Sequence, residues 1–258
     1  MTRTTSTLRD FLLPLCICAA LWQIASTILP SASMPSVGQI LSAAIQTLTV
    51  PARLVTLVEN LGFTLGRIYA GLSLGILAGT IIGFAMARFE TIENFFNPIL
   101  GALYPLPKPA LLPLAVMWVG IGSTAIVIVV TMSAVLPMTV TTFHGIRSVP
   151  RALIWSAQSL GASRARMIFR VLLPAALPQM MVGVRIAHNM TVVSVIAAEL
   201  VVYQPGIGAM VGDFGNAGVY DFMFSSLLIL VLIAATLDRL LEAVSRRVLH
   251  WYLAPEAR

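Results

Sequence analysis

The sequence predicts an all-α polytopic membrane bundle of six transmembrane helices, and three observations carry that prediction. The first is composition. Of 258 residues, 58% are hydrophobic and 10% charged, and the mean hydropathy is +0.93, so there is too little polar surface to cover a soluble globule. The second is the length of the apolar runs. Roughly 20 apolar residues, at about 1.5 Å each, cross a hydrocarbon core of about 30 Å. The stretches 11–29, 68–87, 98–119, 123–143, 178–202 and 222–241 meet that need, and unsatisfied backbone groups in lipid force each into helix.

The third observation is where the cations fall. Arg3 and Arg9 precede the first stretch and Arg88 follows the second. Arg147, Arg151, Arg164, Arg166 and Arg170 lie in the loop 144–177, and Arg239, Arg246, Arg247 and Arg258 close the chain. Twelve of the sixteen Lys and Arg residues therefore sit on one side. Arg53 falls in an opposite loop, and 203–221 holds Asp213 and Asp221 without a cation. The positive-inside rule then places both termini in the cytoplasm. A net charge of +6 arranged in this way sets topology and gives no nucleic-acid face.

The first span reads as a signal anchor rather than a cleaved signal peptide ending at Ser31-Ala32-Ser33, because its apolar run exceeds a usual signal core. Cys16 and Cys18, two apart on that helix, point away from each other and read as buried structural thiols. Leucines and isoleucines at helical spacing between Pro30 and Asn60 predict amphipathic helices at the outer interface.

Span two carries Gly71, Gly75, Gly79 and Gly83, one glycine in every four residues, which places them on one stripe. Such a stripe lets a neighbouring backbone approach closely, either as static packing or as a sliding surface. Span three holds Pro98, Pro105, Pro107, Pro109 and Pro113 around Lys108, so an unkinked helix is impossible there. It either lines a cavity or is a kinked structural helix with Lys108 snorkelling. Gly120-Ile121-Gly122 then makes a tight outer turn. Span five is predicted to open at Pro178 and carries Arg185, His188, Asn189 and Glu199 in an otherwise apolar helix. Ionisable groups at depth face a bundle interior or water, which makes this helix a candidate for the pathway, with helix pairing and snorkelling the competing explanation.

The loop 144–177 is the most informative stretch for function. A short helix from Pro150 to Leu160, with Leu153, Ala157 and Leu160 on one face, stops at Gly161. Ser163 can cap a second helix running to Leu173 and ended by Pro174. A helix, glycine, helix hairpin studded with arginines suits a groove on a cytoplasmic partner.

These residues carry a resemblance. Ser156-Ala157-Gln158-Ser159-Leu160-Gly161-Ala162-Ser163, then Phe169-Arg170-Val171-Leu172-Leu173-Pro174-Ala175-Ala176-Leu177-Pro178 and Gly183-Val184-Arg185, resembles the coupling loop of bacterial ABC importer permeases. Thr64-Leu65-x-Arg67, Pro107-x5-Pro113-Leu114, Ala198-Glu199 and Gly206-Ile207-Gly208 are similar to the nitrate, sulfonate and taurine branch. The resemblance spans about residues 10–250 and implies a type I importer permease fold. It divides the chain into 1–60 (first helix and outer amphipathic segment), 61–250 (permease core) and a cytoplasmic tail, 251–258.

The resemblance also implies partners: a second permease copy, two cytoplasmic ATPase subunits, and a periplasmic or lipid-anchored solute-binding protein, all at the bacterial inner membrane. The chain itself would bind no cofactor and be no enzyme, with ATP and Mg on the ATPase. The coupling role falls on Leu153, Trp155, Ala157, Leu160, Gly161 and Ser163. One departure stands out: the acidic residue usual six positions before the glycine is Trp155 here. An aromatic anchor would replace the ionic contact. Candidates for the translocation pathway are Arg67, Lys108, Arg185, His188, Asn189 and Glu199.

Two other classes compete. An ion-gradient-driven secondary transporter or channel would need no ATPase, but the chain shows no inverted repeat and its most elaborate feature faces the cytoplasm. An intramembrane enzyme finds no support in His144, His188 and His250, which are far apart, and no phosphate loop surrounds Lys108, the only lysine. The expected substrate is a small sulfonate-like or other organic anion, with nitrate, bicarbonate or a pyrimidine- or flavin-type precursor as alternatives.

Overall fold

A computed structural model describes residues 3–250 apart from Pro30 and Ala32. The expected tail 251–258 and Ala32 of the considered cleavage site lie outside the described residues. Every regular element is helical: α1 (Arg3–Ile28), α2 (Val37–Thr49), α3 (Pro51–Arg88), α4 (Glu90–Leu103), a 3₁₀ turn (Lys108–Leu111), α5 (Leu112–Val119), α6 (Ser123–Arg147), α7 (Arg151–Ser159), α8 (Arg164–Met167), a π turn (Ile168–Leu172), α9 (Leu173–Val202), α10 (Ile207–Asn216) and α11 (Tyr220–Val248). Helices α3, α6 and the continuous run Arg164–Val202 are long and apolar enough to cross a membrane, and α4 with the segment Lys108–Val119, bent by 99°, makes a fourth such unit. The expected first and last spans fall on α1 and α11, but neither is among these units: the apolar part of α1 is the shorter stretch Leu13–Ile28, so among the described residues up to four of the six expected spans meet the length and apolarity needed.

The glycine stripe sets the centre of the bundle. A Cβ on Gly71 would meet Val130, one on Gly75 would meet Ala134, one on Gly79 would meet Met138 and one on Gly83 would meet Thr142. The partners advance in step with the glycines, so α3 and α6 run parallel with every-fourth-residue ridges interlocked. Parallel neighbours require the chain between them to recross the bundle. The bent unit from α4 to α5 makes that return. Helix α9 runs the other way: Gly183 lies against Thr141 and Met138, and the Ser133 and Ser194 hydroxyls are 2.7 Å apart. Helix α6 is thus the central post. Its Ile126, Val129 and Val130 pack with Ile68, Leu112 and Val195, and its Leu136 and Phe143 pack with Met86 and Leu100.

A second apolar cluster joins Ala44 of α2, Leu57 of α3, Ile207, Met210 and Val211 of α10, and Ile229 and Leu230 of α11. Ser36 and Gln39 form a reciprocal capping box at the start of α2. Trp22 of α1 donates to the Pro35 carbonyl at 2.9 Å and meets the Phe224 ring edge-on.

Four sequence expectations change. The second half of 30–60 is no interfacial helix: Leu54, Leu57 and Val58 belong to α3, a helix of 38 residues that Pro51 opens at its first turn. Cys16 and Cys18 are exposed rather than buried, because α1 packs on the bundle mainly at its far end. Arg53 lies in α3 and Asp213 and Asp221 lie in α10 and α11, not in open loops. Neither Pro174 nor Pro178 breaks the helix. The π turn immediately before α9 widens the backbone so that a proline ring no longer drives into a tightly wound preceding turn, and Pro174 falls within the first residues of α9.

Candidate functional site

The loop between α6 and α9 is built to present α7. Helix α7 ends in a Schellman motif: Ala162 N–H donates to the Ala157 carbonyl at 3.0 Å and Gly161 N–H to Gln158 at 2.9 Å. That geometry places Gly161 at φ +71, where a side chain is strained. The Ser163 hydroxyl accepts from Arg166 N–H at 3.4 Å and caps α8. No residue of α7 is buried. Leu153, Trp155 and Leu160 are 49%, 62% and 85% exposed, while Ala157 is partly covered. At about 100° per residue, Trp155 projects roughly 200° round the helix from Leu153, so the apolar side chains occupy two sides of α7 rather than one stripe.

A buried polar network lies toward the opposite end of the bundle. Arg67 on α3 donates to Glu199 Oε1 on α9 at 2.5 Å, to the Pro205 carbonyl at 2.7 Å and to the Ser123 hydroxyl at 2.9 and 3.1 Å. The Thr64 hydroxyl donates to the Glu199 carboxylate at 2.9 Å and accepts from Ile207 N–H at 2.9 Å. Gly208 N–H donates to Glu199 Oε2 at 3.0 Å and Gly206 N–H to Asn60 Oδ1 at 2.7 Å. The first amides of α10, which have no intrahelical partners, are thus capped by side chains of α3 and α9. A Cβ at Gly206 would overlap the Glu199 carboxylate, and one at Gly208 would lie 2.6 Å from the Ile196 carbonyl. The glycines are there because the carboxylate is.

The other sequence-derived candidates separate. Arg185, half-exposed, makes a two-pronged bond to Asp238 on α11 at 2.6 and 2.9 Å. His188, three residues on, is buried with no hydrogen-bond partner on either ring nitrogen among the described residues. Asn189 is exposed on α9. Lys108 donates to the Tyr104 carbonyl at 2.7 Å. Asn60, Ser123 and Asp238 are partners that reading along the chain misses, because they are ordinary residues made important by helices distant in sequence.

Residues 71–250 match the family described as binding-protein-dependent transport system inner membrane component. The chain belongs to this family. The permease is 34% identical over 197 residues to the taurine transport system permease protein TauC of Escherichia coli K12, covering 76% of this chain and 72% of that one. It is 29% identical over 234 residues to the putative aliphatic sulfonates transport permease protein SsuC of the same organism, covering 90% and 88%. Among solved structures, the inward-facing MetNI methionine ABC transporter superposes with a TM-score of 0.69 at 20% identity, covering 78% of this chain and 99% of that one. The permease therefore has the type I ABC importer fold, and it is a multi-pass inner-membrane component of an ABC importer, not a secondary transporter or channel. Its relatives are transport permease proteins.

Proposed function

We propose that this permease imports a small sulfonate-type organic anion, delivered by a periplasmic or lipid-anchored binding protein, along a path between two copies of the chain. Two cytoplasmic ATPase subunits bind ATP and Mg and seat on α7, and both termini of the permease lie in the cytoplasm with them. Closure of the ATPase dimer pulls the two loops together and the helices exchange outward and inward openings.

The observation that carries the ATPase contact is α7 itself: Leu153, Trp155 and Leu160 stand exposed on a helix held by a Schellman turn at Gly161, beside Arg151, Arg164 and Arg166. Large apolar side chains held out on a rigid hairpin are interface anchors. The sulfonate substrate is supported by the TauC and SsuC relatives. Reconstitution of the permease with its ATPase and binding protein in proteoliposomes tests the proposal. ATP-dependent uptake of radiolabelled taurine or an alkanesulfonate is expected, and uptake that continues without the ATPase would refute it.

A further inference from the structure

Arg67, Lys108 and Arg185 are cations of the helical bundle, and the structure neutralises two of them. Arg67 meets Glu199 and Arg185 meets Asp238. Lys108 has no carboxylate partner among the described residues. Its ammonium donates to the Tyr104 carbonyl at 2.7 Å and stands 5.4 Å from the Tyr104 ring centre. An ammonium carries three donors, and the bond to Tyr104 is the one made among the described residues.

The depth of Lys108 follows from its neighbours along the bent unit. Leu100, before it, packs beside Leu136 and Phe143 of α6. Leu112, after it, packs beside Ile126 and Val129. The break carrying Lys108 therefore sits near the middle of α6. Half of a hydrocarbon core of about 30 Å is more than a four-carbon stem can span, and the bond to Tyr104 holds the side chain inward, so snorkelling does not take the charge to water. Lys108 is nonetheless partly exposed on the surface of the single chain. A charge facing hydrocarbon at that depth is costly, whereas one facing a water-filled cavity is not. Non-helical backbone at membrane depth, such as Tyr104 to Pro107, points the same way.

Helix α9 contributes a second polar group at this level. The Ser133 to Ser194 contact and the packing of Gly183 on Met138 bracket Asn189, and its side chain is exposed. The 3₁₀ turn that begins at Lys108 packs against both α6 and α9.

We infer that Lys108 lines the aqueous translocation pathway and is a specificity-determining contact for the anionic headgroup of the substrate, with Asn189 an uncharged neighbour on the same path. The inference rests on the permease reading and deepens it: two copies would place two ammonium groups along the path, matched to a sulfonate or carboxylate and adverse to cations.

Two measurements test it. In a background with Cys16→Ser and Cys18→Ser, Lys108→Cys in lipid nanodiscs is exposed to a membrane-impermeant sulfonated thiosulfonate. Labelling from water is expected. Absence of labelling under conditions that modify Gln158→Cys overturns the proposal, whatever the substrate is. In proteoliposomes, Lys108→Gln is expected to lower uptake of radiolabelled ethanesulfonate at least about tenfold, as loss of a charged hydrogen bond implies, with Lys108→Arg retaining most of it. Wild-type uptake matched by Lys108→Gln sinks the specificity role. Wild type that takes up no sulfonate refutes the substrate reading instead, and the labelling result still decides where Lys108 lies.

Discussion

Arg67 and Glu199, 132 residues apart in sequence, meet at 2.5 Å with 4% and 0% of their side chains exposed. The contact ties α3 to α9 and, through Pro205 and Gly208, holds the turn into α10. A buried ion pair is weak evidence for net stability, since desolvation offsets attraction, but losing one partner leaves the other buried and uncompensated.

Arg67→Met should therefore lower stability by about 3–5 kcal/mol, while Arg67→Met with Glu199→Leu recovers a large part of that loss. Denaturation midpoints in detergent, combined as a double-mutant cycle, measure the difference. Additive losses would show that the two side chains are not coupled.

Packing makes a separate prediction. A Cβ at Gly79 would stand 2.7 Å from the Val135 carbonyl and 3.0 Å from Thr139 N, which are backbone atoms that cannot turn aside. Gly79→Ala should destabilise the bundle by about 1–3 kcal/mol. Gly62, with nothing within 4 Å of its Cβ position, is the control: Gly62→Ala should match wild type or exceed it, since glycine is a poor helix former. Equal thermal midpoints for the two variants would contradict interlocked α3 and α6 ridges.

At the loop, Trp155→Ala should leave the unfolding midpoint unchanged and weaken ATPase association by about 2 kcal/mol, roughly 30-fold, the size expected of an aromatic anchor. Gly161→Asp should do more harm, because φ +71 strains any side chain at that turn. Pull-down affinity and uptake per ATP hydrolysed report both effects. An unaltered affinity for Trp155→Ala shifts the anchor to Leu153 and Leu160 on the other side of α7.

The buried imidazole yields a fourth. His188 has no hydrogen-bond partner at either nitrogen among the described residues, so it bears a desolvation cost that an apolar side chain avoids. His188→Met should be neutral or stabilising by about 1–3 kcal/mol. A fall in the thermal midpoint would show that the ring is satisfied by a partner that appears only in the assembled transporter.

Local signals made most of the helices legible. The glycine stripe announced close packing because every-fourth-residue spacing is a property of the helix itself, and Gly161 and Ser163 announced the hairpin because caps act on adjacent backbone. What stayed hidden depends on context. Pro174 read as a helix stop and Pro178 as a helix start, yet α9 runs through both, with a π turn just before Pro174. Thr64, Arg67, Glu199 and Gly206-Ile207-Gly208 read as separate fragments, and only the parallel register of α3 and α6, with α9 returning beside them, brings them into one network. Asp238 gave no sign of pairing with Arg185, since a lone carboxylate near a helix end looks like any solvated charge.

The unbroken run Arg164–Val202 has mechanical meaning. Its 39 residues extend about 58 Å at 1.5 Å per residue, with the α7 hairpin at one end and Glu199 near the other. A stiff rod of that length converts a small rotation into a large stroke: a tilt of about 5° at the hairpin moves the far end by roughly 5 Å. A push at the α7 hairpin would then arrive at the Arg67 clasp as displacement, less what the π turn Ile168–Leu172 and the helix around Pro178 absorb by bending.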